Sequence, residues 1–270
     1  MIRFFLFLIL NLFVVIINAQ SVTVSHEKKE RGFVVFATNN ELYPVSVLLS
    51  LDIENLSFSE GKKEVFIVPA KTEKFKIGEL NVAEAGQRTK FGYKYKTTLG
   101  DVTLTNFDKT IVYDLPFQTG KSYRIFQGYN GTFSHQNENS LDFIMPEGTE
   151  ILAARDGTVV ELVQTNRVSC PDKECGKFNN YITIMHSDGT FASYLHIKYN
   201  GSNYKLGDTV KRGDIIAYSG NVGWSSGPHL HFVCFLGGFD HRTTIETLFR
   251  INKEGKSSLL KESETYLKDY

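Results

Sequence analysis

The sequence predicts an all-β protein on three observations: short apolar or alternating runs throughout, turn signals between them, and no convincing long helical periodicity. Gly32–Ala37 is one such run and ends at Asn39-Asn40. Tyr43–Leu51 is rich in Val, Leu and Ser, and Glu64–Val68 stops at Pro69. Phe91–Thr97 alternates as a half-buried strand does. Strands at this spacing predict a small β-sandwich-like domain over residues 20–114. No charged or aromatic constellation there calls for chemistry, so packing, spacing or substrate docking is its natural role.

Pro116, Gly120 and Gly128-Tyr129-Asn130-Gly131 mark a change of texture near residue 115. A second domain is expected over 115–250, with strands at Glu150–Ala154, Gly157–Val163, Tyr181–His186, Thr190–His196, Ile215–Ser219 and His229–Phe235. Gly207, Gly213, Gly220, Gly223 and Gly227 punctuate these strands, as hairpins and the walls of an open groove require. Residues 251–270 are polar and read as a tail or an edge strand.

With 270 residues the chain can bury a real core, as one large domain or two modest ones. Lys+Arg and Asp+Glu both number 30, so no net field steers it toward nucleic acid or an anionic membrane. Arg3 precedes Phe4–Ile17, an apolar run broken only by Asn11, and Asn18-Ala19-Gln20 follows. That order predicts a signal peptide over 1–19 with cleavage near Ala19. The run is short for a bilayer span, so no stable span is expected after cleavage. The mature chain is therefore expected to be secreted or periplasmic. In that setting Cys170 and Cys175 can close a small disulfide, whereas Cys234, in an apolar stretch, reads as a buried free thiol.

The strongest local signal is Ser225-Ser226-Gly227-Pro228-His229-Leu230-His231-Phe232. Residues two apart on a strand share a face, so His229 and His231 project together while Leu230 and Phe232 face a core. Two imidazoles on one face are expensive to bury without a partner. A metal, or one ligand beside one base, accounts for them better than packing. His135 follows the glycine-rich loop, Asp142 opens Asp142-Phe143-Ile144-Met145-Pro146, and His196 ends Tyr194-Leu195-His196. Singly these read as a loop histidine, a turn former and a satisfied core histidine. Jointly they describe a site.

These residues carry a family resemblance. Residues 115–250 resemble the lysostaphin-type, or LytM-like, zinc endopeptidases that cut peptide cross-links in bacterial cell walls. The resemblance rests on ordered pieces: His135 with Asp142, Pro146-Glu147-Gly148-Thr149, Ala153 to Val159, Asn180 to His186, Tyr194-Leu195-His196, Gly207 to Asp214, and Gly220 to Phe232. It implies a zinc metalloendopeptidase domain in an antiparallel sheet with an open groove, acting on peptidoglycan peptides. It implies His135, Asp142 and His231 as Zn2+ ligands, and His196 and His229 as the catalytic pair. Two imidazoles and a carboxylate fill three positions of a tetrahedral zinc site and leave one for water. The alternatives are a non-catalytic LytM-like regulator of other wall hydrolases and a zinc peptidase acting on non-wall proteins.

The chain departs from the family pattern twice. Its relatives often space the first ligands His-x-x-x-Asp, whereas six residues separate His135 from Asp142 here, with Glu138 as a fallback ligand. After His-Leu-His-Phe, relatives commonly carry Glu and this chain carries Val233. Tyr194 and Trp224 are candidate groove residues, with core packing at least as natural for Tyr194.

Overall fold

Alternation along the first strands separates a buried face from a wet one. In Val45–Glu54, Val47 and Leu49 are buried while Ser50, Asp52 and Glu54 are exposed. The computed structural model describes residues 21–105 and 107–270, so the signal peptide expected over 1–19 lies outside the described residues. Val22–Lys29, Gly32–Asn39, Thr72–Val82 and Leu56–Phe58 form one four-stranded antiparallel sheet. Val65–Val68, Val45–Glu54 and Lys90–Leu99 form a three-stranded one. Their inner faces share one apolar cluster that includes Val24, Val35, Val47, Leu49, Phe66 and Leu80. The sandwich expected from the sequence is present, with two long strands at Val22–Lys29 and Thr72–Val82 that the sequence reading had not singled out. Thr72–Val82 reads TEKFKIGELNV, and its charged wet face hides the short apolar period.

The second half is organised by a nine-stranded sheet. Along its path lie Thr209–Val210, Gly157–Val163, Tyr181–Met185, Phe191–Leu195, His229–Leu236, Ser140–Ile144, Ser122–Gln127 and Thr265–Leu267, with Thr243–Ile245 paired to His229–Leu236. The neighbours are antiparallel. All six strands expected beyond residue 150 form, with ends shifted by a few residues. The one helical turn among the described residues is the 3-10 segment Lys173–Phe178. The polar C-terminal stretch pairs rather than dangling: Thr265–Leu267 is an edge strand on Ser122–Gln127. No helix among the described residues is long and apolar enough to cross a membrane.

The two faces of His229–Leu236 have different fates. Leu230, Phe232 and Cys234 point into the main core with Leu141, Phe143, Ile182 and Phe249. His229, His231, Val233 and Phe235 point the other way. At the far end of that second face, Val233 and Phe235 join Phe191 and Val160 in the apolar cluster of the first half. Phe191 stacks on Phe235 at 5.7 Å and meets Tyr43 edge-on at 6.1 Å. A Cβ on Gly237 would lie 1.8 Å from the Leu99 carbonyl oxygen, so only glycine permits this close approach. The sandwich thus covers one end of the sheet face and leaves the histidine end open. It also accounts for Val233, which is fully buried against the sandwich.

Candidate metal centre and groove

Strand register builds the centre. Asp142 lies directly across from His231, and His231 lies directly across from Leu195, the residue before His196. Facing residues of neighbouring strands share a face and sit about 5 Å apart. His231 Nδ1 is 2.9 Å from Asp142 Oδ1. His135, carried by the loop between Ser122–Gln127 and Ser140–Ile144, brings its Nε2 to 3.3 Å from Asp142 Oδ2 and 3.2 Å from His231 Nδ1. The three residues offer donor atoms that all lie within 4.8 Å of one another. Tetrahedral zinc, with bonds of roughly 2.0–2.2 Å, sets its ligand atoms roughly 3.3–3.6 Å apart. Two imidazole nitrogens and one carboxylate oxygen are a donor set for that ion, and at 2.9–3.3 Å they stand slightly closer together than the bound ion would hold them.

Glu138 does not join them. Its carboxylate pairs with the Arg242 guanidinium, while Asn139 bonds to Thr244.

The other two histidines stand beside this trio. His196 follows Phe191–Leu195 with a φ of +63°, a left-handed backbone that costs a non-glycine residue of order 1 kcal/mol or more. That turn brings its ring to 4.5 Å, centroid to centroid, from His229 and 6.0 Å from His231. His196 Nδ1–H donates to the Val222 carbonyl at 2.9 Å, and His229 Nδ1–H donates to the Gly227 carbonyl at 2.8 Å. His135 Nδ1–H donates to the Gly128 carbonyl at 3.0 Å. A carbonyl can only accept, so in each neutral ring the hydrogen sits on Nδ1 and Nε2 keeps its lone pair. His229 Nε2 is 3.8 Å from Asp142 Oδ1.

Electrostatics follow from burial and these contacts. Burial presses the Asp142 carboxyl upward, but hydrogen bonds from His135 and His231 outweigh it and hold the group well below the usual carboxylate range. Burial pushes His135 down, and the Asp142 contact outweighs that and raises it. Burial, reinforced by His229 and His231, pushes His196 down to about 3. His229 is lowered, chiefly by burial.

The centre lies at the bottom of a groove of about 510 Å³. Phe126, Phe133 and Ile144 are exposed on its walls at 51%, 69% and 41%, and Pro171 and Trp224 also line it. Cys170 and Cys175 are disulfide-bonded, which ties off the loop that carries Pro171. Trp224 Nε1 donates to the Pro171 carbonyl at 3.0 Å. A Cβ on Gly223, whose φ is +88°, would lie 1.9 Å from Asn179 Oδ1, so glycine lets this strip sit tightly beside His196. Tyr194 is fully buried and its hydroxyl accepts from the Ala154 backbone, so it belongs to the core. Cys234 is a buried free thiol, as its apolar setting implied.

Residues 136–240 match the model for Peptidase family M23. This stretch is similar to the M23 peptidases. Among similar proteins is an uncharacterized metalloprotease of Buchnera aphidicola, 36% identical over 45% of this chain and 31% of its own length. Another is the glycyl-glycine endopeptidase ALE-1 of Staphylococcus capitis, 33% identical over 45% of this chain and 31% of its own. The peptidoglycan DD-endopeptidase ShyA of Vibrio cholerae is 34% identical over 37% of this chain and 20% of its own. The chain spans less than a third of the length of each of these relatives.

The M23 match begins one residue beyond His135 and includes Asp142, His196, His229 and His231. The sequence reading missed the Ser122–Gln127 strand, and with it Phe126 on the groove wall and Gln127, which is 3% exposed beside Asp142. Ser-Tyr-Arg-Ile-Phe-Gln alternates Tyr123, Ile125 and Gln127 on one face, a signal that a search for period two can find. Arg242 and the carbonyls of Gly128, Val222 and Gly227 carried no sequence signal.

Proposed function

We propose that this chain is an exported zinc metalloendopeptidase that hydrolyses peptide bonds in peptidoglycan stem peptides or cross-links. One observation carries the reading: three ligand atoms converge at His135, Asp142 and His231, and two more histidines beside them keep their Nε2 lone pairs. His135 Nε2, His231 Nδ1 and the Asp142 carboxylate are assigned as metal ligands. Zinc held there would supply Lewis acidity to the scissile carbonyl and would bring the pKa of a water toward about 7. His229 Nε2, held by the Gly227 carbonyl behind it, accepts the proton of the attacking water. His196 Nε2, a lone-pair acceptor because Nδ1–H is spent on Val222, orients that water. The apolar walls at Phe126, Phe133 and Trp224 exclude bulk water and flank an extended peptide.

The wall substrate rests on the resemblance to relatives named for glycyl-glycine and peptidoglycan DD-endopeptidase activity. These two names imply different bonds. Export to the periplasm or the medium rests on the apolar run before Asn18-Ala19-Gln20. A non-catalytic regulator is disfavoured because all five positions carry functional side chains. No residue before Phe126 lines the groove among the described residues, so the sandwich packs beside it rather than over it.

Zymography on purified cell walls tests the proposal. Clearing is expected from the wild type and is expected to vanish in chelator and in His231→Ala. Clearing that survives either treatment overturns the zinc mechanism. Mass spectrometry of peptides released from defined wall fragments then names the bond.

A further inference from the structure

The long step from His135 to Asp142 leaves a physical question: what sets two ligands in register when six residues, four of them outside any strand, lie between them? Strand pairing fixes Asp142, but His135 lies in no strand. Loop closure alone would leave His135 a wide range of positions. The Gln127 side chain supplies the missing constraint. Gln127 sits across from Asp142 on the neighbouring strand, 3% exposed. Its Oε1 accepts the backbone N–H groups of Phe133, Ser134 and His135 at 3.0, 2.7 and 3.3 Å. Its Nε2 donates to Asp142 Oδ2 at 3.1 Å and to Ser134 Oγ at 2.8 Å.

Three N–H donors aimed at one atom fix which end of the amide is oxygen. Both amide hydrogens are then spent, one on Asp142 itself. The loop wraps tightly over this side chain: a Cβ on Gly131 would lie 2.4 Å from Gln127 Cγ. The next residue, Gly128, receives the His135 ring through its carbonyl, so the Gln127-Gly128 pair holds His135 at both its backbone and its ring.

We propose that Gln127 is a positioning residue that presets His135 and Asp142 as a pair, and that the zinc affinity of this chain depends on it. The inference rests on the zinc reading above. Outer partners of metal ligands are typically worth about 10–100-fold in metal affinity.

The test uses the full chain, stripped with chelator and titrated with zinc against a chromogenic competitor, alongside amide hydrogen exchange. In Gln127→Met, zinc affinity is expected to fall by about 10–100-fold. Exchange at Phe133, Ser134 and His135 is expected to quicken while the Phe191–Leu195 strand keeps its protection. If Gln127→Met does not fold, Gln127→Asn, which withdraws the amide by one methylene, carries the same expectation. A purely structural glutamine would lower the thermal midpoint and leave the zinc affinity of the folded protein within twofold of wild type; that result overturns the inference alone. A wild type that takes up no zinc overturns the zinc reading as well.

Discussion

Two clusters of buried polar side chains flank the His229–Leu236 strand, one on each face, and they differ in a single respect. On one face His135, Asp142, His196, His229 and His231 turn their lone pairs toward a groove of about 510 Å³. On the other, Tyr113, Arg155, Asp188, Thr190 and Cys234 close on one another. The Tyr113 hydroxyl meets Cys234 Sγ at 3.3 Å, and Arg155 Nη1 donates to Asp188 Oδ2 at 2.9 Å. His186 stands beside them, its ring edge-on to Tyr113 at 5.6 Å. The space there is about 10 Å³, at most one water. Both clusters are buried and both contain a strongly perturbed histidine, His196 at about 3 and His186 at about 4. Burial and a shifted pKa therefore do not separate chemistry from packing. Convergence of unspent lone pairs on open space does.

The largest expected effect breaks the open cluster. His229→Ala is expected to lower kcat by about 10²–10⁴-fold, the usual worth of a positioned general base. Zinc content and the unfolding midpoint in urea are expected to stay near wild type, because His229 is half-buried at the groove. Turnover of a defined wall peptide measures the first and metal analysis the second. An active His229→Ala would mean that the two clusters do not differ as argued.

How much of this contrast is legible in sequence depends on what holds each residue. His229 and His231 announce themselves, because period two puts both on one face and the strand around them is apolar. His196 and Asp142 are legible through the family resemblance and their place in the order of its motifs. The sandwich is legible as strands, yet its contact with the sheet through Val233, Phe235 and Phe191 is not, because apolar residues on a strand do not say what covers them. Gln127 was invisible for a different reason. Its value lies in partners up to fifteen residues away, at Asp142, and in backbone amides, which have no residue type. His186 appears in the sequence as plausible as His196, with a strand before it and an Asp-Gly turn after it. Only the groove separates them.

The closed cluster yields a stability effect instead. Arg155→Met removes the cation from half-buried Asp188 and is expected to destabilise the fold by about 3–5 kcal/mol, as breaking a largely buried pair does. Zinc affinity of the folded protein is expected to be unchanged. Urea unfolding and competitive zinc titration check the two halves of this expectation. A change in zinc affinity would show the clusters to be coupled through the strand they share.

His186 sharpens the comparison by pH. Burial holds it down to about 4, against about 6.5 for an exposed histidine. Its Nδ1–H donates to the Asp156 carbonyl at 2.7 Å, while Nε2 has no partner. The folded pKa lies below the unfolded one, so the contribution is fully present above pH 6.5 and is lost as pH falls toward 4. There the unfolded chain binds a proton that the folded chain refuses, and a gap of about 2.5 units amounts to about 3 kcal/mol. His186→Asn keeps a donor for the Asp156 carbonyl and cannot titrate. The stability difference between wild type and His186→Asn is expected to shift against the wild type by about 1–2 kcal/mol at pH 5.5 and about 3 kcal/mol at pH 4, relative to pH 7. His196 and His229 titrate in both proteins and cancel. Parallel stability curves would mean that His186 is protonated in the fold, and the closed cluster would then hold a charge that nothing beside Nε2 balances.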